Sequence, residues 1–344
     1  MRIVAILIGI SALCIHPSPS WIETAYVNGF YPHWEHAAYA VTRLSPWSLG
    51  DLAVLVGVAL LVWRIARCIR IAFRRFAWSA ILVAVLDVAA IFAVYAFWFE
   101  AGWGWNYDRA PVEARLLYEP RRVNAQAVAA LRARAIAEMN ALAPLAHRRS
   151  SETLDIAALR DAWLPAVQRA GDRWTPRVGA PKATLADPFM NASGTSGFIN
   201  PLTLTAQLAS DLLWFERPFD LAHEWSHIAG YAREDEANYL ATVTCLRSRD
   251  PVAQYSGWLE LFLALPRPQR FARKTFTPLV WSDFAALRNR DARRVNLSLA
   301  RLSWRTYNVY LKSNHVAAGV ESYDEVTRLV LGIPLDREGL PLAR

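Results

Sequence analysis

The feature that most constrains this chain is an apolar run from Ala77 to Phe99, broken by a single charge at Asp87. Roughly 23 helical residues rise through about 30 Å of hydrocarbon, and a helix satisfies every backbone N–H and C=O within the segment, as lipid demands. A transmembrane helix is therefore expected over about 77–99. A second, shorter run spans Leu49 to Cys68, with Asp51 near its start and Arg64 and Arg67 near its end, where long side chains snorkel out of the hydrocarbon. Residues 3–15 form a third apolar run, behind Met1-Arg2. It reads as a signal peptide or as a short anchor. No small-x-small cleavage site follows, and Trp21 lies where an interfacial belt would place it, so a retained helix over about 3–16 is expected.

An ionisable residue inside a span is a candidate for function. Asp87 has no second acid or histidine near it in the span to form a relay, which favours a hydrogen bond to a neighbouring helix instead.

Between the second and third runs lie Arg64, Arg67, Arg70, Arg74 and Arg75, whereas residues 17–48 hold one Arg against two acidic residues. The positive-inside rule makes the Arg-rich turn cytoplasmic. Three crossings then leave the N-terminus inside and everything after Glu100 outside, with Trp98, Trp103 and Trp105 at the exit. The expected organisation is a membrane region, 1–105, and an extracytoplasmic domain, 106–344. In a bacterium this places the chain in the inner membrane, facing the periplasm. Because Arg supplies most of the +8 formal charge and clusters beside apolar segments, topology accounts for it and no nucleic-acid site is expected. Cys14, Cys68 and Cys245 have neither disulfide nor thiolate-zinc spacing and read as inert.

In the second region, 124–147 and 152–170 repeat apolar residues at helical spacing. Residues 171–200 are rich in Gly, Pro, Ser and Thr, and Phe198-Ile199 begins an extended piece after the turn residues Gly194 and Gly197. A hairpin or edge strand is expected there, and such an edge can hold an extended substrate by strand addition; an ordinary loop is the alternative.

The chemistry is concentrated at His223-Glu224-Trp225-Ser226-His227. Two histidines four apart share one helix face and offer two imidazoles to a single Zn²⁺, while Glu224 stands beside the ion as a general base for a water acidified by the metal. Leu221, Ala222, Trp225, Ile228 and Ala229 make the rest of this helix apolar, and Gly230 suits the left-handed residue that ends it. A third histidine at metzincin spacing would fall on Arg233, which cannot bind zinc, so the third ligand should be a carboxylate, Glu234 or Glu236. These are two apart on the next helix and only one can face the metal. Tyr323 and His315 are candidates to stabilise the oxyanion.

Glu234-x-x-Ala237-Asn238 resembles a pattern of zincin peptidases in which the first Glu is the ligand. The likeness implies Glu234 as ligand, with Glu236 the alternate, and Asn238 as a neighbour orienting the site. More broadly, the chain resembles the membrane proteins grouped as domain of unknown function 3810, which are predicted zinc metallopeptidases. The shared residues are Pro218 through His227, Gly230, Arg233 through Asn238, Tyr255-Ser256-Gly257, Tyr310 through Ser313 and Gly319 through Tyr323. Further likeness lies in Trp21-Ile22-Glu23, Tyr31-Pro32 and Trp103 through Tyr107.

The expected fold is mainly α, with three N-terminal transmembrane helices before an α-rich (α+β) zincin-like domain carrying a small hairpin. The expected function is hydrolysis of peptides or envelope proteins with Zn²⁺ and Glu224. The alternative is a non-catalytic membrane protein with a structural or ligand-sensing zinc site.

Overall fold

The structure is a computed structural model that describes residues 2–75, 79–266, 271–313 and 326–344. It is mainly helical, with one two-stranded sheet among the described residues.

The chain opens with α1 (Arg2–Cys14), the short α2 (Pro19–Trp21), a π-helical stretch (Ile22–Phe30) and α3 (Tyr31–Thr42). Two long apolar helices follow, α4 (Leu49–Arg75) and α5 (Ser79–Gly102), each long and apolar enough by itself to cross a membrane. This makes the chain consistent with a membrane protein. The first apolar run differs from the expected third span. At 1.5 Å per residue, the 13 residues of α1 rise about 20 Å, short of a bilayer core. It qualifies only together with Pro19–Thr42, across a bend of 105°.

The α1 helix packs along α5 in the same direction, with Arg2 beside Asp87 and Gly9 against Ala93. Arg64 of α4 donates to the other Asp87 oxygen at 2.9 Å. Asp87 thus ties three helices together, which gives its charge a structural role.

The second region begins with α6 (Val112–Arg115), α7 (Ala125–Arg148) and α8 (Ile156–Arg169). Asn124 and Asp155 cap α7 and α8 by accepting from backbone N–H groups at 2.9 Å. After α9 (Asp187–Ser193), β1 (Gly197–Asn200) and β2 (Thr205–Leu208) pair antiparallel, Gly197 opposite Leu208 and Asn200 opposite Thr205. Then come α10 (Arg217–Ile228), α11 (Glu234–Arg247), α12 (Pro251–Ala264), α13 (Pro278–Arg294), α14 (Leu297–Ser313) and α15 (Val326–Gly332).

One core joins the two regions. Ile22, Tyr26 and Tyr31, from between the first two apolar runs, are buried with Trp163 of α8, Trp225 of α10 and Tyr239 of α11. Tyr31 donates its hydroxyl to Ile228 O at 2.8 Å, and the fully buried Arg109 donates to Ala229 O and Gly230 O while pairing with Glu23 and Asp172. A second core between α7, α12 and α13 centres on Met139, Tyr255 and Phe262.

A candidate metal centre

Helix α10 begins with Pro218 in its first turn, where a missing N–H costs nothing, and buries Leu221, Ala222, Trp225 and Ile228. Its end is set by Gly230, at φ +88°. Gly230 N–H donates to His227 O and Tyr231 N–H to Ser226 O, the paired bonds of a glycine-terminated helix. A Cβ at position 230 would lie 2.5 Å from Asn106 Oδ1, so both conformation and space call for glycine. The turn delivers the chain into α11, whose first residue is Glu234.

His223, His227 and Glu234 meet as a consequence. His223 Nε2 is 3.0 Å from His227 Nε2 and 3.2 Å from Glu234 Oε2, and His227 Nε2 is 3.6 Å from the same oxygen. Ligand atoms about 2.0–2.2 Å from a tetrahedral ion lie roughly 3.3–3.5 Å from one another, so the three donors fit one metal ion. Orientation supports this. His227 Nδ1 donates to Tyr231 O at 2.8 Å, which leaves Nε2 with its lone pair turned toward the other two donors. Among the described residues, buried Glu234 Oε2 has no partner of hydrogen-bond geometry despite its closeness to both rings.

Two imidazoles and a carboxylate packed this closely call for a positive charge among them. Burial works against charge on His227, yet the Glu234 carboxylate pushes its pKa up to about 9. Burial, reinforced by His227, lowers that of His223. Burial would raise Glu234, but the two histidines hold it well below the usual carboxylate range.

Glu224 projects beside this cluster. Its Oε2 is buried without a hydrogen-bond partner, and burial is the chief reason its pKa is pushed up to about 8. Strand β1 lies directly against it, since a Cβ on Gly197 would sit 2.7 Å from Glu224 Oε1. Both line a cavity of about 700 Å³ with Phe198, Asp220, Asn238 and Glu260. Asp220, one turn before Glu224, is pushed up to about 7 by burial and by Glu216.

Asn238, one turn on from Glu234, lies beside His223. Glu236 is elsewhere, accepting from Val112 N–H at 2.9 Å with Arg115 and Arg233 nearby. Tyr323 and His315 lie outside the described residues. Tyr307 of α14, which the sequence reading missed, donates its hydroxyl to Glu234 Oε1 and lines the cavity. So does Trp103, which donates to His227 O at 3.1 Å. The sequence signal for Tyr307 was weak: a place three residues after Trp304 on one face of an amphipathic helix.

Among comparisons with known proteins, no curated protein and no solved structure matches the chain. A family model described as protein of unknown function (DUF3810) matches residues 26–331. That match runs from the residues packed against the end of α10, through the three-donor cluster, to the last helix. This chain belongs to the DUF3810 family of proteins of unknown function.

Proposed function

We propose that this protein is a membrane-anchored zinc peptidase, seated in a bacterial inner membrane with its catalytic domain outside. The observation that carries the reading is Glu224, a buried carboxylate whose Oε2 has no hydrogen-bond partner among the described residues, set between a three-donor cluster and a strand edge. Two imidazole nitrogens and a carboxylate oxygen are a donor set that suits zinc. His223, His227 and Glu234 would hold the ion, which would supply the Lewis acidity that makes a water nucleophilic at neutral pH.

The chain's own residues perform the remaining work. Glu224 takes the proton of the attacking water and returns it to the departing amide nitrogen. A buried carboxyl whose pKa lies near neutrality is suited to both transfers. Tyr307, with its hydroxyl at the Glu234 carboxylate, can turn that donor onto the oxyanion that develops at the carbonyl. Strand β1, with one neighbouring strand among the described residues, offers its cavity-side edge to an extended peptide.

A structural zinc site has no need of a base, which makes Glu224→Gln the deciding variant. Zinc-loaded wild type should cleave members of a random peptide library read by mass spectrometry. Glu224→Gln should keep its zinc while its rate falls about 10²–10⁴-fold. Equal cleavage by the variant, or none by zinc-loaded wild type, would end the peptidase reading.

A further inference from the structure

We infer that the polypeptide taken by this site is itself anchored in the bilayer and is cut within a few residues of where it leaves the membrane. The inference rests on the peptidase reading and adds a substrate class to it.

The first ground is the placement of the metal donors. Trp103 is the residue immediately after α5, and its indole N–H is bonded to the backbone of His227, with the two rings 6.3 Å apart. Phe99, within the last turn of that span, lines the same cavity as His223 and Glu224. At 1.5 Å per residue, Phe99 sits only about 5 Å below the end of α5. The catalytic floor is therefore the end of a membrane helix.

The opposite wall is mounted on the other span. Asn200, the last residue of β1, packs so closely on Gly50 in the first turn of α4 that a Cβ there would lie 2.1 Å from its side chain. The segment before α9 is bonded to the same helix start. Ser48 N–H donates to Ala183 O at 2.8 Å, and Asp51 accepts from the Thr184 hydroxyl at 2.6 Å and from Leu185 N–H at 2.8 Å. The base, the strand edge and both span ends thus share one level.

The rim has the composition of a bilayer interface. Leu185, Phe189, Leu302 and Trp304 are between 45% and 62% exposed, and Phe189 and Trp304 line the cavity itself. Arg301 and Arg305 are exposed on α14 beside Leu302 and Trp304, the pairing of basic and apolar side chains that suits lipid headgroups. A soluble protein would have to reach Glu224 through those headgroups. A chain leaving the bilayer beside α4 and α5 meets β1 as it emerges. At about 3.3 Å per extended residue, a cavity whose floor is the end of α5 places the scissile bond within a few residues of the lipid. Its C–N bond breaks, water gives oxygen to the carbonyl carbon and a proton to the amine, and one product keeps the anchor.

The test uses full-length, zinc-loaded protein in vesicles of phosphatidylcholine and phosphatidylglycerol. A randomised ten-residue segment is presented directly after a single transmembrane helix, or after a Gly/Ser spacer of about 30 residues, or as a free peptide. Cleavage next to the helix should exceed both other arrangements by at least roughly tenfold. Independently, benzoylphenylalanine replacing Phe189 in zinc-loaded Glu224→Gln should photocrosslink to the juxtamembrane substrate in preference to the free peptide. Cleavage or crosslinking of the free peptide at an equal level overturns the anchored-substrate inference and leaves the peptidase standing. Absence of cleavage in every arrangement removes both.

Discussion

Two positions along a helix turn a side chain by about 200°, and this is what separates Glu234 from Glu236. The first faces the histidines; the second takes the Val112 N–H and lies within 4 Å of Arg115 and Arg233. Glu236→Ala should therefore keep the metal and lose stability, by about 1–3 kcal/mol for a buried N–H left without its acceptor, seen as a lower unfolding midpoint at unchanged metal content. The i, i+4 histidines and the terminating glycine were legible because both are local rules of the helix. The choice between the two glutamates was not local, since it depends on the phase at which α11 starts after Gly230. Tyr307 was hidden for a stronger reason, lying 73 residues from Glu234 with no spacing to betray it. Tyr307→Phe should retain metal and lower kcat by about 10²–10³-fold with little change in KM, measured on any peptide the wild type cleaves. An unchanged kcat would remove Tyr307 from the chemistry.

Length and apolarity identified α4 and α5, because a span must be a long apolar helix whatever surrounds it. They could not show that α1 stops after 13 residues and leans along α5, since that depends on a partner. The small residue at the contact is Gly9, where a Cβ would fall 2.4 Å from Ala93 O, while Gly57 on α4 has nothing within 4 Å. The two glycines make a matched pair. Gly9→Leu should lower the unfolding temperature in detergent, through an overpacking cost of about 1–3 kcal/mol, and Gly57→Leu should leave it nearly unchanged. Equal effects would mean that α1 is not docked on α5. The extended piece at Phe198-Ile199, expected as a hairpin or edge strand, pairs antiparallel with β2, yet its mounting on Gly50 was invisible, being a contact across 150 residues.

At the scale of the molecule, residues 19–42 bury Ile22, Tyr26 and Tyr31 in the core of the helix that carries His223 and His227, and Arg109 bonds the turn after it to Glu23 and Asp172. The N-terminal apolar region and the helix of His223 and His227 share one core, and the family match over residues 26–331 covers parts of both. The proposed orientation, with the Arg-rich end of α4 in the cytoplasm, puts this body outside. Reporter fusions joined after residue 110 should be active only when the reporter functions outside the cytoplasm; activity of a cytoplasmic reporter would reverse the topology. The central claim is that His223, His227 and Glu234 hold zinc, and zinc content per chain tests it most directly. Purified wild type should carry about one zinc and Glu234→Ala close to none under the same loading. Equal content in the two, or none in the wild type, would contradict the account.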